Sequence, residues 1–318
     1  MKTQPIFPDI VGQTIAKRRL GFHLDNYKAT NILPHLLFIA PKGCGKTTLA
    51  KATARNLVGT DSTGKPKPFL ELNCSTLKSV KQFINQVVIP HVNHRECTVL
   101  FDEASELPKD VSMALLTMLN PNKENRTTFS YEDYTIDFDF RRQSFMFATT
   151  EAHKLFHALI DRCDRIDMEE YTLNELGKIL QLNLDNEKMT ATPTVLDDIA
   201  TILRGNARAA QKMANNMKNY LSRAKKKKFD AGDWAKLKHA LGIMPLGLND
   251  IEIQIMKALR ERKSCSLTNL AAKIGLTTEC IRRDFEMYLQ KQNLMNIGTG
   301  GRSLSKDGLD YLKKHNIK

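Results

Sequence analysis

Residues 36–48, LLFIAPKGCGKTT, restrict this chain more than any other stretch of it. Four apolar residues (Leu36, Leu37, Phe38, Ile39) give way to Pro41, Gly43 and Gly45, and a helix-like segment resumes at Lys46. A strand, a glycine-rich loop and a helix in that order make a phosphate-binding loop. Glycine lets successive backbone N–H groups turn inward around an anion, and the helix N-terminus adds favourable potential. The spacing puts Lys46 along the β- and γ-phosphates and the Thr47 hydroxyl on Mg²⁺. The usual pattern opens with glycine, whereas Ala40 stands here, a change tolerable where φ need not be positive.

A second anchor lies about fifty residues downstream of the loop. Cys97 to Glu103, CTVLFDE, is an apolar run ending in two carboxylates, which a parallel sheet would set beside the loop at a strand's C-terminal edge. Asp102 is then a candidate to hold Mg²⁺ through its water shell, and Glu103 to polarise an attacking water. Ser144 to Thr150, SFMFATT, reads as a further core strand that brings Thr150 near the γ-phosphate. Leu159 to Cys163, LIDRC, presents Arg162. Ahead of the loop, Asp9 to Gln13 (DIVGQ) offers Ile10 and Val11 as walls for an adenine. Asn125 to Arg142 alternates in strand fashion and is rich in aromatics, which predicts a β-hairpin either docking a partner or packed on its own domain.

From Tyr171 the periodicity is helical: Tyr171 to Leu184, Val195 to Leu203 and Ala207 to Arg223, with Gly205-Asn206 capping the last and leading into Arg208. A basic run, Arg223 to Lys228, reads as a solvated face or a DNA contact. Beyond a Pro/Gly linker at Met244 to Asn249, three helical stretches and a hairpin with a Gly-rich tip predict a winged helix. Residues 246–318 carry thirteen Lys and Arg against eight Asp and Glu, and Arg282, Arg283 and Arg302 are its candidate phosphate contacts. Protein binding is the alternative use of such a unit.

The net charge of +13 favours a polyanionic partner, with nucleic acid the commonest. No run approaches the ~18 apolar residues of a membrane span. Residues 1–8 lack the apolar core of a signal peptide. Six cysteines (44, 74, 97, 163, 265 and 280) are scattered without metal-ligand spacing, as free thiols in a reducing compartment would be, so a cytoplasmic protein is expected.

With these pieces in order (DIVGQ, HLLFIAPKGCGKTTLA, VLFDE, FATT, DRC, EEYTLNEL, GNARAA, GLNDIE), the chain resembles the RuvB family, the Holliday-junction branch-migration ATPases of the AAA+ class, over nearly its whole length. The resemblance implies an α/β fold: an AAA+ parallel-sheet core over 1–168 with the hairpin at 125–142, an all-α lid over 169–244, and a winged helix over 245–318. It implies ATP and Mg²⁺ as cofactors, with Gly43, Cys44, Gly45, Lys46, Thr47 and Thr48 as the nucleotide loop and Asp102 with Glu103 as the catalytic acids. Thr150 matches the first sensor, Tyr171 a nucleotide-contacting tyrosine, Arg208 the second sensor, and Arg162 an arginine finger that acts on the neighbouring subunit's ATP. A homo-oligomeric ring, usually a hexamer, follows from that finger, and the hairpin resembles the family's contact with its junction-binding partner. Asn120 stands where the family has an acid. The expected activity is ATP-driven movement of branched duplex DNA; a clamp or helicase loader, or a DNA-binding regulator using ATP as a conformational ligand, are the alternatives.

Overall fold

The computed structural model describes residues 6–60 and 64–317. Two compact units divide between Phe229 and Asp230.

The first unit is built on a parallel sheet. Its strands are β1 (Leu36–Ile39), β2 (Phe69–Asn73), β3 (Cys97–Asp102), β6 (Gln143–Thr149) and β7 (Asp164–Asp167), while β4 (Arg126–Tyr131) and β5 (Tyr134–Asp139) form the separate hairpin. The order across the sheet is β2-β3-β6-β1-β7. The three central strands are apolar almost without interruption because helices cover both faces of a parallel sheet, and β6 is buried at every position. The flanking strands are more open: β2 is half-buried or exposed throughout, and β7 buries only Ile166. Phe101 and Phe147 sit opposite each other in the β3–β6 register, with rings 4.8 Å apart and nearly parallel, and fix that pairing. The consequence for function is that β3, β6 and β1 are neighbours. The two acids, Thr150 and the phosphate loop all leave the sheet from the same edge, where ligands bind in open α/β sheets.

Segment 78–96, for which the sequence pattern gave no assignment, forms a helix, Val80–Phe83 continuing as the π-wound Ile84–Val92, whose apolar side packs Phe83, Ile84, Val88 and Val92 into the core. The hairpin differs in part from the expectation of exposed aromatics. Ile136, Phe138 and Phe140 are buried in the core, Phe129 and Tyr131 stack on each other half-buried, and only Tyr134 of its aromatics is exposed. The base of the hairpin is packed on its own domain and its tip around Tyr134 is open.

Three helices, Leu173–Asp185, Pro193–Thr201 and Ala207–Ala224, complete the first unit. Thr172 and Glu175 form a reciprocal cap at the start of the first. A short parallel pair, β8 (Thr190–Ala191) with β9 (Lys228–Phe229), ties the end of the third helix back beside them. The compact unit ends at Phe229, and the next helix, Ala231–Ala240, falls in the second unit.

That second unit contains the winged helix: Asp250–Arg262, Leu267–Ile274, a third helix running from Thr278 to Lys291 with a π-wound middle (Ile281–Glu286), then β10 (Met295–Gly298) and β11 (Gly301–Leu304), and a closing helix Lys306–Lys314. Its core gathers Ile255, Met256, Leu259, Leu270, Ile281, Leu289 and Leu312. Cys265 pairs its backbone with Arg302 on the outer edge of β11, N–H to carbonyl at 2.8 and 2.9 Å, which stiffens the wing. Among the described residues no helix is long and apolar enough to cross a membrane.

Candidate functional site

The loop after β1 and the first turn of the Lys46–Ala54 helix enclose one side of a solvent-open cleft of about 550 Å³. Lys42, Gly43, Gly45, Lys46, Thr47 and Thr48 line it from the loop side. Gly43 and Gly45 adopt φ of 82° and 90°, the left-handed region that glycine enters without penalty. Gly45 has a further reason to lack a side chain, since a Cβ there would stand 3.0 Å from the Tyr171 hydroxyl. Ala40 is buried and is not among the positive-φ residues, so the departure from the usual glycine carries no strain.

Lys46 is 8% exposed and its ammonium donates to the carbonyls of Ala40 (2.9 Å) and Pro41 (3.3 Å). Burial lowers its pKa, and the nearby Glu103, Cys44 and Asp102 charges pull the other way. A buried ammonium facing two carboxylates and held by only two carbonyls is well placed to take an anion, which would supply the charge compensation its surroundings give incompletely. The Thr47 hydroxyl donates to Asp102 Oδ2 at 2.9 Å, linking the helix after the loop to the end of β3. A hydroxyl and a carboxylate brought together at the phosphate end of the cleft are hard oxygen ligands that fit Mg²⁺.

Glu103 follows directly, exposed and with φ of 54°. A non-glycine residue in that region costs about 1 kcal/mol or more and is concentrated at functional sites. The turn sends its carboxylate into the cleft beside Asp102, whose Oδ1 accepts the Glu103 N–H. Thr150, one residue past β6, lines the same cleft. Opposite the loop, the Ala207–Ala224 helix contributes Ala207, Arg208 and Gln211 from its first turn. Of these the sequence pattern points to Arg208; Gln211, three residues further along the helix, shares its face.

Other expected site residues surround the cleft without lining it. Cys44 is 1% exposed, so the loop offers its backbone rather than its thiol. Ile10 and Val11 are half-buried in the turn before the Thr14–Thr30 helix. Gln13 joins that turn to the segment after β7: its amide donates to the Glu169 carbonyl (2.7 Å) and accepts the Glu169 N–H (3.2 Å). Tyr171 is buried, its pKa raised by that burial, and its N–H donates to the Gly205 carbonyl. Nothing in the sequence distinguished Gln13 from an ordinary helix-flanking polar residue.

Arg162 lies elsewhere. It lines a separate groove of about 660 Å³ with His35, Leu119, Asn120, Pro121 and Phe140, and donates through Nη1 to the Ala158 carbonyl at 2.7 Å. Its Nε is buried without a hydrogen-bond partner. In the second unit, Arg282 and Arg283 are exposed on the third helix of the winged helix. Arg302 is not free in the same way: Nε and Nη2 form a fork on the two carboxylate oxygens of Glu286 at 2.7 and 3.2 Å.

A parallel sheet in this order, a glycine-rich loop with its lysine, an Asp-Glu pair and a helical cap over the phosphate end define a P-loop ATPase of the AAA+ class. Residues 36–171 match the model of the ATPase family associated with various cellular activities, and residues 245–313 match the RuvB C-terminal winged helix domain. In these two matches, and along nearly its whole length, the chain is similar to the RuvB family. Among its relatives, the Holliday junction branch migration complex subunit RuvB of Thermosipho melanesiensis is 26% identical, covering 96% of each chain. That of Thermotoga maritima is 24% identical over 96% of this chain and 90% of its own. The solved structure of the Thermotoga maritima RuvB Holliday junction branch migration motor superposes with a TM-score of 0.76 at 22% identity, covering 98% of this chain and 99% of that one, and shows the same fold.

Proposed function

We propose that this chain hydrolyses ATP to drive branch migration of Holliday junctions, working as a ring of identical subunits, with a hexamer as the form the family suggests. One observation carries the reading most of the way. Lys46, the Thr47–Asp102 pair, Glu103, Thr150 and Arg208 converge on one cleft, whereas Arg162, the remaining cationic group the reaction needs, sits in a different groove. A second copy must then complete the site.

Within that reading, Lys46 neutralises the β- and γ-phosphates, and the N–H groups of Gly43, Cys44, Gly45, Thr47 and Thr48 cradle them. Thr47 and Asp102 would hold Mg²⁺, which supplies charge neutralisation of the phosphate oxygens. Glu103 takes a proton from the attacking water while Thr150 orients that water, and Arg208 of the same chain steadies the γ-phosphate. Arg162 of the neighbouring copy leaves its Ala158 carbonyl and meets the charge that develops in transfer. Tyr171, with Ile10 and Val11, places the base and reports its presence to the hinge at 169–171. The functional domains on this reading are 1–168, 169–244 and 245–318, and Arg282 and Arg283 meet duplex DNA through phosphates. Arg302 contributes to DNA contact chiefly by holding the wing. The open tip of the hairpin around Tyr134 is where a junction-binding partner would dock, and the cytoplasm is the compartment where such a machine works.

The test is strand movement on a synthetic four-way junction with ATP, with and without candidate partners. Wild-type protein should move the branch point. Lys46→Ala should lose nucleotide binding, and Glu103→Gln should bind ATP and the junction without hydrolysis. ATP turnover with DNA but no junction movement under any condition would refute the motor role and favour a loader.

A further inference from the structure

The crest of the phosphate loop is bonded to the lid helix by a side chain that the reading above does not use. Asn206 precedes the Ala207–Ala224 helix, and its Oδ1 accepts the Ala209 N–H at 3.1 Å, an ordinary N-cap. Its other amide atom does something separate: Nδ2 donates to the Lys42 carbonyl at 3.1 Å, across 164 residues of sequence. The next carbonyl along the loop, that of Gly43, accepts the Arg208 N–H at 3.4 Å. Two successive carbonyls of the loop are thus turned toward the first turn of the lid helix. The fit is close, because a Cβ on Gly43 would fall inside the Asn206 amide group.

Peptide planarity gives this contact a consequence. In a trans peptide the C=O and the following N–H point in opposite directions. With the Lys42 carbonyl fixed on Asn206, the Gly43 N–H points away from the lid helix. Gly43 itself lines the cleft. Glycine at φ of 82° has little intrinsic preference for holding this orientation, so an external bond has to select it.

We infer that Asn206 is a positioning residue for nucleotide binding: its amide aims the Lys42–Gly43 peptide so that the Gly43 N–H faces the phosphates. It does so from the lid, so the shape of the phosphate loop depends on where the lid helix stands. The same residue that starts the helix bearing Arg208 thereby brings Arg208 and the loop into register. The inference rests on the cleft being the ATP site.

The experiment separates the cap from the bond to the loop. Asn206→Ser and Asn206→Asp both keep an oxygen able to cap the helix. Serine is too short to reach the Lys42 carbonyl, and aspartate has no N–H to give it. Full-length variants are titrated with fluorescent ADP and with ATP plus Mg²⁺, followed by steady-state ATP hydrolysis and thermal unfolding. Both variants should unfold at the wild-type temperature yet bind ADP and ATP about tenfold more weakly, the scale of one lost hydrogen bond. KM should rise by a similar factor while kcat falls less than threefold. Wild-type affinity in Asn206→Ser overturns the inference, even if Asn206→Asp is weakened, since charge repulsion alone would then explain the aspartate. Weak binding that simply tracks a lowered unfolding temperature in both variants also overturns it. Lys46→Ala serves as the control on the underlying reading: if it binds nucleotide like the wild type, the cleft assignment fails, whereas its failure to bind beside a normal Asn206→Ser defeats only the role of Asn206.

Discussion

Removing Arg302 should unfold the winged helix before it affects any charge count on DNA. Glu286 is 2% exposed and its carboxylate is met by the Arg302 fork; the Arg302 side chain is itself only 16% exposed. That hydrogen-bonded pairing raises the Arg302 pKa, so the guanidinium is charged at every working pH. Arg302→Ala leaves a buried carboxylate with its counter-ion gone, a loss of about 3–5 kcal/mol for a desolvated pair. A unit of this size has a urea slope of roughly 1 kcal/mol per molar, so the midpoint should fall by about 3–5 M or the unit should be unfolded outright. Far-UV circular dichroism of the full chain reports the loss of the winged-helix helices. Replacing both partners with methionine removes the uncompensated charge and should recover most of the loss. DNA binding supplies the second readout. A lost phosphate contact lowers the slope of log K against log salt by about 0.9. Arg282→Ala and Arg283→Ala should each do so, and the double methionine variant should not. An Arg302→Ala protein with an unchanged urea midpoint and a reduced salt slope would refute this reasoning and make Arg302 a direct phosphate contact.

Arg162→Ala should bind ATP as the wild type does and lose at least a hundredfold in hydrolysis, given the ~10³–10⁵ that such a group supplies. Mixing it with Lys46→Ala should restore part of the turnover, because an interface that joins the loop of the Arg162→Ala subunit to the arginine of the Lys46→Ala subunit is intact; no recovery in mixed assemblies would count against action in trans. His35, buried against Phe140 and Phe145, has its pKa pushed down to about 4 by burial. Its folded value lies below the unfolded 6.5, so the neutral ring is favoured and its contribution is intact above pH 6.5 and lost as pH falls toward 4. The full swing is about 3 kcal/mol by linkage. Urea midpoints at pH 7 and pH 5 should therefore differ less in a His35→Leu variant than in the wild type, and equal pH dependence in the two would show that another group is responsible.

Much of the site could be read from the sequence because its parts are local. A P-loop is a single contiguous turn whose glycines, lysine and threonine must be neighbours in the chain, and an apolar run ending in Asp-Glu has few places to go in a parallel sheet. Gly43, Gly45, Lys46, Thr47, Asp102, Glu103, Thr150 and Arg208 line one cleft for that reason. Helical periodicity likewise carried the helices of residues 173–224 and of the winged helix, whereas the two-residue pairing of β8 with β9 has no periodic signal to announce it.

What the sequence by itself determined is the set of chemical groups and the order in which secondary structure presents them. Tertiary structure alone decided which polar side chains face each other across long stretches of chain: Asn206 on Lys42, Gln13 on Glu169, Arg302 on Glu286, and Arg162 in a groove away from the cleft. Periodicity reports which face of an element is buried, because burial is a property of one residue and its surroundings. A hydrogen bond or ion pair depends on the relative placement of two backbones to within an ångström, and no single stretch of sequence encodes that distance.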